Sequence, residues 1–250
     1  MTEKKALATL YVDGEGRPSL EACMDATYAH CRKYGVNVVV MYTATGEGPC
    51  MALDRYANNP EFSQVRLVAV TPPAQRRYIA DPRNREAEPV RSGIVGERRV
   101  RLTEADIPII SARLPFRSAA DPELGVTDPM QLVDRAFGVL GGGFSLCIQA
   151  AMIACDAGAV APGEFVAAMS ADTALVIVAT HTEAFLSSTH GLLVQHVICR
   201  PSLYDISKLN HVVTKRAIEA KKRETTAIAE SNDKQLTDAP PQGPTKGSSS

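Results

Sequence analysis

Seven stretches of the chain are short, apolar and rich in β-branched residues: 6–12 (ALATLYV), 36–42 (VNVVVMY), 66–71 (RLVAVT), 107–112 (IPIISA), 165–170 (FVAAMS), 173–180 (TALVIVAT) and 192–201 (LLVQHVICRP). Each reads as a strand with both faces covered, because its apolar run is nearly unbroken and does not alternate with polar residues. Between them the apolar residues follow a helical period. In 18–33, Leu20, Cys23, Met24, Thr27 and Cys31 fall on one face, and Gly35 closes the segment as a C-terminal stop. A second helix is expected at about 49–58. A third is expected at about 129–139, with Asp128 as N-cap and Pro129 at the first helical position. The segment 140–158 is apolar nearly all round, so it reads as a buried, central helix. A last helix is expected from about Leu203 to Arg223. Strands alternating with helices predict an α/β fold with a doubly wound, mostly parallel sheet. There are about half the strand–helix units that an eightfold barrel needs.

Two regions break the pattern. Residues 72–105 hold proline, glycine and, from Arg76 to Arg101, eight arginines; this is long for an idle loop and is expected to hold edge strands or a functional flap. From about 225 the chain turns polar and rich in proline, glycine and serine, and a disordered tail is expected at 225–250 after a single domain at 1–224.

With 27 Lys and Arg against 28 Asp and Glu, the net charge of −1 gives no reason to expect nucleic acid or an anionic membrane as partner. The six cysteines have irregular spacing and no C-x-x-C pair, which argues against a zinc site or a disulfide framework. No apolar run is long enough to span a membrane. The expectation is a cytoplasmic protein with reduced thiols and no bound metal.

Three polar islands could carry chemistry. The first, Thr43-Ala44-Thr45-Gly46-Glu47-Gly48, follows a buried strand and opens a helix, where unpaired amides and the helix dipole favour an anion; Thr71 closes the next strand beside it. It matches neither the P-loop nor the dinucleotide fingerprint. The second is Gly141-Gly142-Gly143 with Ser145, which reads equally as an anion nest or as close packing of the central helix. The third is His181 with Thr182, after strand 173–180. Ligands of an open sheet bind outside the carboxyl ends of its strands, so His181 is well placed beside the first island and is the candidate acid/base, with a capping or packing role as the plainer alternative.

The segments VNVVVMYTATGEGPCMAL, VRLVAVT, GFSLCIQAAMIACDAGAV and ADTALVIVATHTEAF resemble stand-alone proteins similar to the C-terminal α/β domain of pyruvate kinase, over roughly 6–205. The resemblance implies a phosphate-bearing ligand at the turn resembling Thr43–Gly48, since the related kinase domain binds a sugar-phosphate effector there. It also implies FMN, which stand-alone relatives hold. The catalytic barrel of the kinase is missing, so phosphoryl transfer is not implied. Flavin stacking would draw on Tyr42, Tyr78, Phe116 or Phe144. An enzyme acting on a small carbonyl or phosphorylated metabolite, with the flap as a lid, is the alternative. A regulatory or homo-oligomeric interaction module is a further one.

Overall fold

The computed structural model describes residues 6–75, 77–78, 90–116 and 129–203. Nine strands and five α-helices follow one another as β1 (Leu10–Val12), α1 (Leu20–Tyr34), β2 (Val38–Tyr42), α2 (Glu47–Tyr56), β3 (Arg66–Thr71), β4 (Arg77–Tyr78), β5 (Val90–Arg91), α3 (Gly96–Glu104), β6 (Ile109–Ser111), α4 (Pro129–Gly138), α5 (Gly142–Asp156), β7 (Phe165–Met169), β8 (Ala174–Val178) and β9 (Leu193–Pro201). The helix expected at 203–223, the tail from 225 and the middle of the arginine-rich excursion lie outside the described residues, as does Asp128.

Seven strands form one sheet in the order β1-β9-β8-β7-β2-β3-β6. β7 pairs in parallel with β2, β2 with β3, and β3 with β6, while β8 is antiparallel to both of its neighbours and β1 runs parallel to β9. Six strands therefore point one way and β8 alone is reversed. The chain leaves β2 outward through β3 and β6, then returns to β7 on the other side of β2. The topological switch point lies between β2 and β7.

Alternation along each strand feeds two cores. Val38 and Val40 of β2, with Val68 and Val70 of β3, face α5, where Ile148, Ala151 and Met152 are fully buried. Val39 and Met41 face the opposite side, against Cys23, Met24 and Tyr28 of α1 and Ala52 of α2. Ala69 joins that side in a smaller cluster with Cys50, Ile94 and Leu102. The middle of the sheet (β2, β3, β7 and β8) is thus covered on both faces, which is why these strands are apolar nearly throughout. In contrast β1, β6 and the first half of β9, expected to be covered as well, keep exposed residues such as Leu10, Tyr11 and Leu193 because they lie at or near the sheet margins. The all-round apolar helix is central as its pattern demands: its middle turns are buried between the sheet and α4, whose Met130, Val133 and Phe137 pack against the same core. All six cysteines are free and buried. Among the described residues no helix is long and apolar enough to cross a membrane.

The arginine-rich excursion holds a helix. In α3 the sequence GERRVRLTE shows only Val100 and Leu102 as apolar residues, and Leu102 alone is buried, so charge masks the period. The edge strands expected there are the two-residue pair β4 and β5.

Candidate functional site

The carboxyl ends of β1, β2, β3, β6, β7 and β9 share one edge of the sheet, together with the start of β8. At the switch point the 43–46 turn leads from β2 into α2, and the Ser170–Thr173 hairpin leads from β7 into β8. The Thr43 amide donates to the Val70 carbonyl at 2.8 Å, continuing the β2–β3 ladder by one residue. The Thr43 hydroxyl then accepts from the Gly46 amide at 2.9 Å, which folds the turn. Gly46 has a φ of 83°, and a Cβ added there would lie 3.0 Å from a methyl of Ile94. The open side of this glycine is therefore filled by protein, and a ligand gains nothing from its missing side chain.

No side chain caps α2. Pro49 has no N–H, and the Cys50 amide donates to the Gly46 carbonyl at 3.2 Å. The amides of Glu47 and Gly48 make no hydrogen bond among the described residues, which leaves two donors at the positive end of the helix dipole. Two guanidinium groups flank the turn. Arg17 holds the Glu47 carboxylate at 2.5 Å, and Arg98 of α3 donates to the Thr45 carbonyl at 3.3 Å. The Gly93 amide donates to the Ala44 carbonyl at 2.8 Å, so the returning arm of the arginine-rich excursion is laid directly on the turn. Thr71, at the carboxyl end of β3, shares the face of Ala69, which packs beneath Ile94 and Cys50. Its hydroxyl is buried and has no hydrogen-bond partner among the described residues. A buried hydroxyl left this way costs about 1–3 kcal/mol.

The start of α5 reaches the same edge from the opposite face, but it is closed. A Cβ on Gly143 would stand 2.5 Å from Asp172 Oδ1 and 2.7 Å from Ser170 Oγ, with Thr173 Oγ1 nearer still. Gly141 is the N-cap residue of α5, and Gly142 and Gly143 open the helix. The close approach at Gly143 packs the helix onto the β7–β8 hairpin. Ser145 donates to Asp134, and its Oγ accepts from Gln149 Nε2 at 2.9 Å. Of the two readings this glycine run allowed, close packing is the one the geometry realises.

His181 and Thr182 are at the other edge. Because β8 is reversed, its carboxyl end emerges where the parallel strands begin. There the His181 ring lies 3.3 Å from Asp156 through Nδ1, while the Thr182 amide and hydroxyl donate to the same carboxylate at 3.0 and 2.5 Å. Asp156 ends the fifteen-residue α5, about 21 Å from Gly142 at 1.5 Å per residue. His181 cannot serve a ligand at Thr43–Gly48, and the expectation that placed them together is corrected by the direction of one strand. The flavin-stacking candidates change as well. Phe116 and Phe144 are packed in the α5 core, Tyr42 is partly buried against it, and the side chain of Tyr78 lies outside the described residues.

The sequence reading missed an acidic pair at the carboxyl edge. Asp172 is buried; its Oδ2 accepts from the Gly16 amide at 2.6 Å and its Oδ1 from the Thr173 hydroxyl at 2.7 Å. Burial raises its carboxyl above the ordinary value and the nearby Glu15 adds to this, while the Thr173 and Gly16 hydrogen bonds oppose it. Glu15 is also buried. The only trace of the pair in the sequence is two polar islands, DGEG at 13–16 and SADT at 170–173, interrupting apolar runs. Two cavities of about 310 and 370 Å³ lie around residues 52–68 and 103–109, at the amino ends of β3 and β6, and neither is lined by the 43–48 turn or the start of α5. Compared with known proteins, the chain matches no family model and no curated protein.

Proposed function

We propose that the protein binds a phosphate-bearing small molecule at the Thr43–Gly48 turn, the phosphate capping α2. The observation that carries this is the uncapped first turn of α2: the amides of Glu47 and Gly48, without a partner among the described residues, stand at an edge where Arg98 supplies positive charge and the Glu47 carboxylate is neutralised by Arg17. A helix start of this kind favours an anion through both its donors and its dipole. The hydroxyl of Thr71 on the same sheet face, which has no partner among the described residues, supplies a further donor. The Gly141–Gly143 segment and Ser145 shape the edge through packing and do not contact the phosphate.

FMN is the first ligand to try, on the strength of the resemblance noted above. Its phosphate would sit on the turn, with the flavin extending over loops at the same edge. The test is a titration with FMN and with riboflavin, which differ by the phosphate alone. A hydrogen bond to a charged group contributes about 1.5–3 kcal/mol, so FMN should bind at least about tenfold more tightly. Added salt should narrow the difference, because both arginines are partly exposed. Equal affinity for the two compounds, or no binding of either, overturns the proposal.

A further inference from the structure

The 310 Å³ cavity lies at the amino edge, far from the phosphate turn, between the C-terminal half of α2, the 60–65 loop and the 105–108 turn. Its volume is at the lower end for small-molecule sites and suits a single ring with one substituent. Tyr28, Tyr56 and Phe62 form one wall. The two tyrosine rings stack with centroids 3.9 Å apart, and Phe62 stands edge-on to both at 5.5 and 5.0 Å. Leu53, Leu67 and Ile107 complete the apolar lining.

The polar groups of this cavity are not equivalent. The Tyr56 hydroxyl is committed to Asp25, and Arg66 at the rim is committed to Glu164 at 2.9 and 3.0 Å and to the Ala159 carbonyl. Tyr28 is 3% exposed; its hydroxyl makes no hydrogen bond among the described residues and is not itself fully buried, so it keeps contact with the open space of the cavity. Burial pushes its pKa well above the ordinary phenol value, so at working pH it is a neutral hydroxyl, able to donate to a ligand in the cavity. Asp106 at the rim and Asp25 behind Tyr56 are acidic and disfavour an anion.

We infer that this cavity is a second binding site, for a small, uncharged, planar aromatic compound carrying a carbonyl acceptor. The ring lies against Tyr56 and Phe62, and the carbonyl accepts from the Tyr28 hydroxyl. The site shares no residue with the phosphate turn and stands or falls independently of it.

The probes are benzamide, benzoate and cyclohexanecarboxamide, followed by saturation-transfer NMR on the full chain. Benzamide should bind, while benzoate, with its charge, and cyclohexanecarboxamide, without a flat ring, should bind at least about tenfold more weakly. Tyr28→Phe keeps the stacked ring and removes only the donor, so it should weaken benzamide about tenfold or more without lowering the melting temperature. Leu53→Trp fills the cavity and should abolish binding. No benzamide binding to the wild type, or equal binding to Tyr28→Phe, overturns the inference.

Discussion

The two edges of this sheet are built from the same kinds of strand and differ in what closes them. At the carboxyl edge the loops are polar and buried: Glu15, Thr43, Thr71, Ser170 and Asp172 are all covered, and α2 starts there with two open amides. At the amino edge the polar groups are exposed and paired with one another, as in Arg66 with Glu164 and Asp156 with His181 and Thr182. Buried polar groups with unfilled bonding capacity are costly, whereas exposed pairs contribute little either way. Of the covered carboxyl-edge side chains only the Thr71 hydroxyl lacks a partner among the described residues, and with the two open amides of α2 it is what sets this edge apart from the paired, exposed groups of the other. The amino edge departs from this at the Tyr28 cavity alone among the sites described above.

The largest effect separating the edges should come from the two ends of α5. Gly143→Ala drives a Cβ into Ser170, Asp172 and Thr173, which are held in a tight hairpin, and should cost about 2–3 kcal/mol by overpacking. Gly158→Ala, just past the other end of the helix, meets open space and has only its φ of 72° to resist it, at about 1–2 kcal/mol. Thermal melts of the two variants check this. Equal losses would mean that the hairpin yields and that the carboxyl edge is not tightly built.

The acidic pair gives the next effect. The folded-state pKa of Asp172 is raised, so the folded chain holds this proton to higher pH than the unfolded one. Its stabilising contribution is complete below the unfolded value of about 4 and is lost as pH rises through the folded value. Stability should therefore decline over that interval, and Asp172→Asn should flatten the decline. Denaturant midpoints between pH 4 and pH 8 measure it, and a variant whose pH profile matches the wild type removes Asp172 from the account.

A smaller change of opposite sign is expected at Thr71. Thr71→Val deletes a hydroxyl that bonds to no described residue and keeps the branched shape favoured in a strand. The unliganded protein should gain about 1 kcal/mol, or a melting temperature higher by about 2–4 °C, while FMN binds more weakly. A loss of stability would show that the hydroxyl is already satisfied.

The contrast between the edges also marks what the sequence could disclose. The central strands β2, β3, β7 and β8, α1 with its Gly35 stop, and the central α5 were legible because hydrophobic period and burial agree in them, whereas β1 is only three residues long and mostly exposed despite its apolar sequence. The direction of β8 was not legible from composition, since ALVIV looks like any buried parallel strand. The clue was length: only four residues lie between Met169 and Ala174, and a parallel crossover needs a dozen or more. That single reading moves His181 from one edge to the other. Asp172 and Glu15 were missed because buried carboxylates leave no periodic signal, and α3 because its charged residues hide a one-residue apolar face.

The central claim is that a phosphate is held at the carboxyl edge by the 43–48 turn. The most direct measurement is an FMN titration, by flavin fluorescence, of wild type, Thr45→Ala and His181→Ala side by side. Thr45 lies in the turn that carries the open amides, where its hydroxyl is assigned as a donor to the phosphate, whereas His181 faces Asp156 at the far edge. The account predicts that Thr45→Ala weakens FMN by about tenfold and leaves riboflavin unchanged, and that His181→Ala binds FMN as the wild type does. FMN affinity lost in His181→Ala and retained in Thr45→Ala would contradict it.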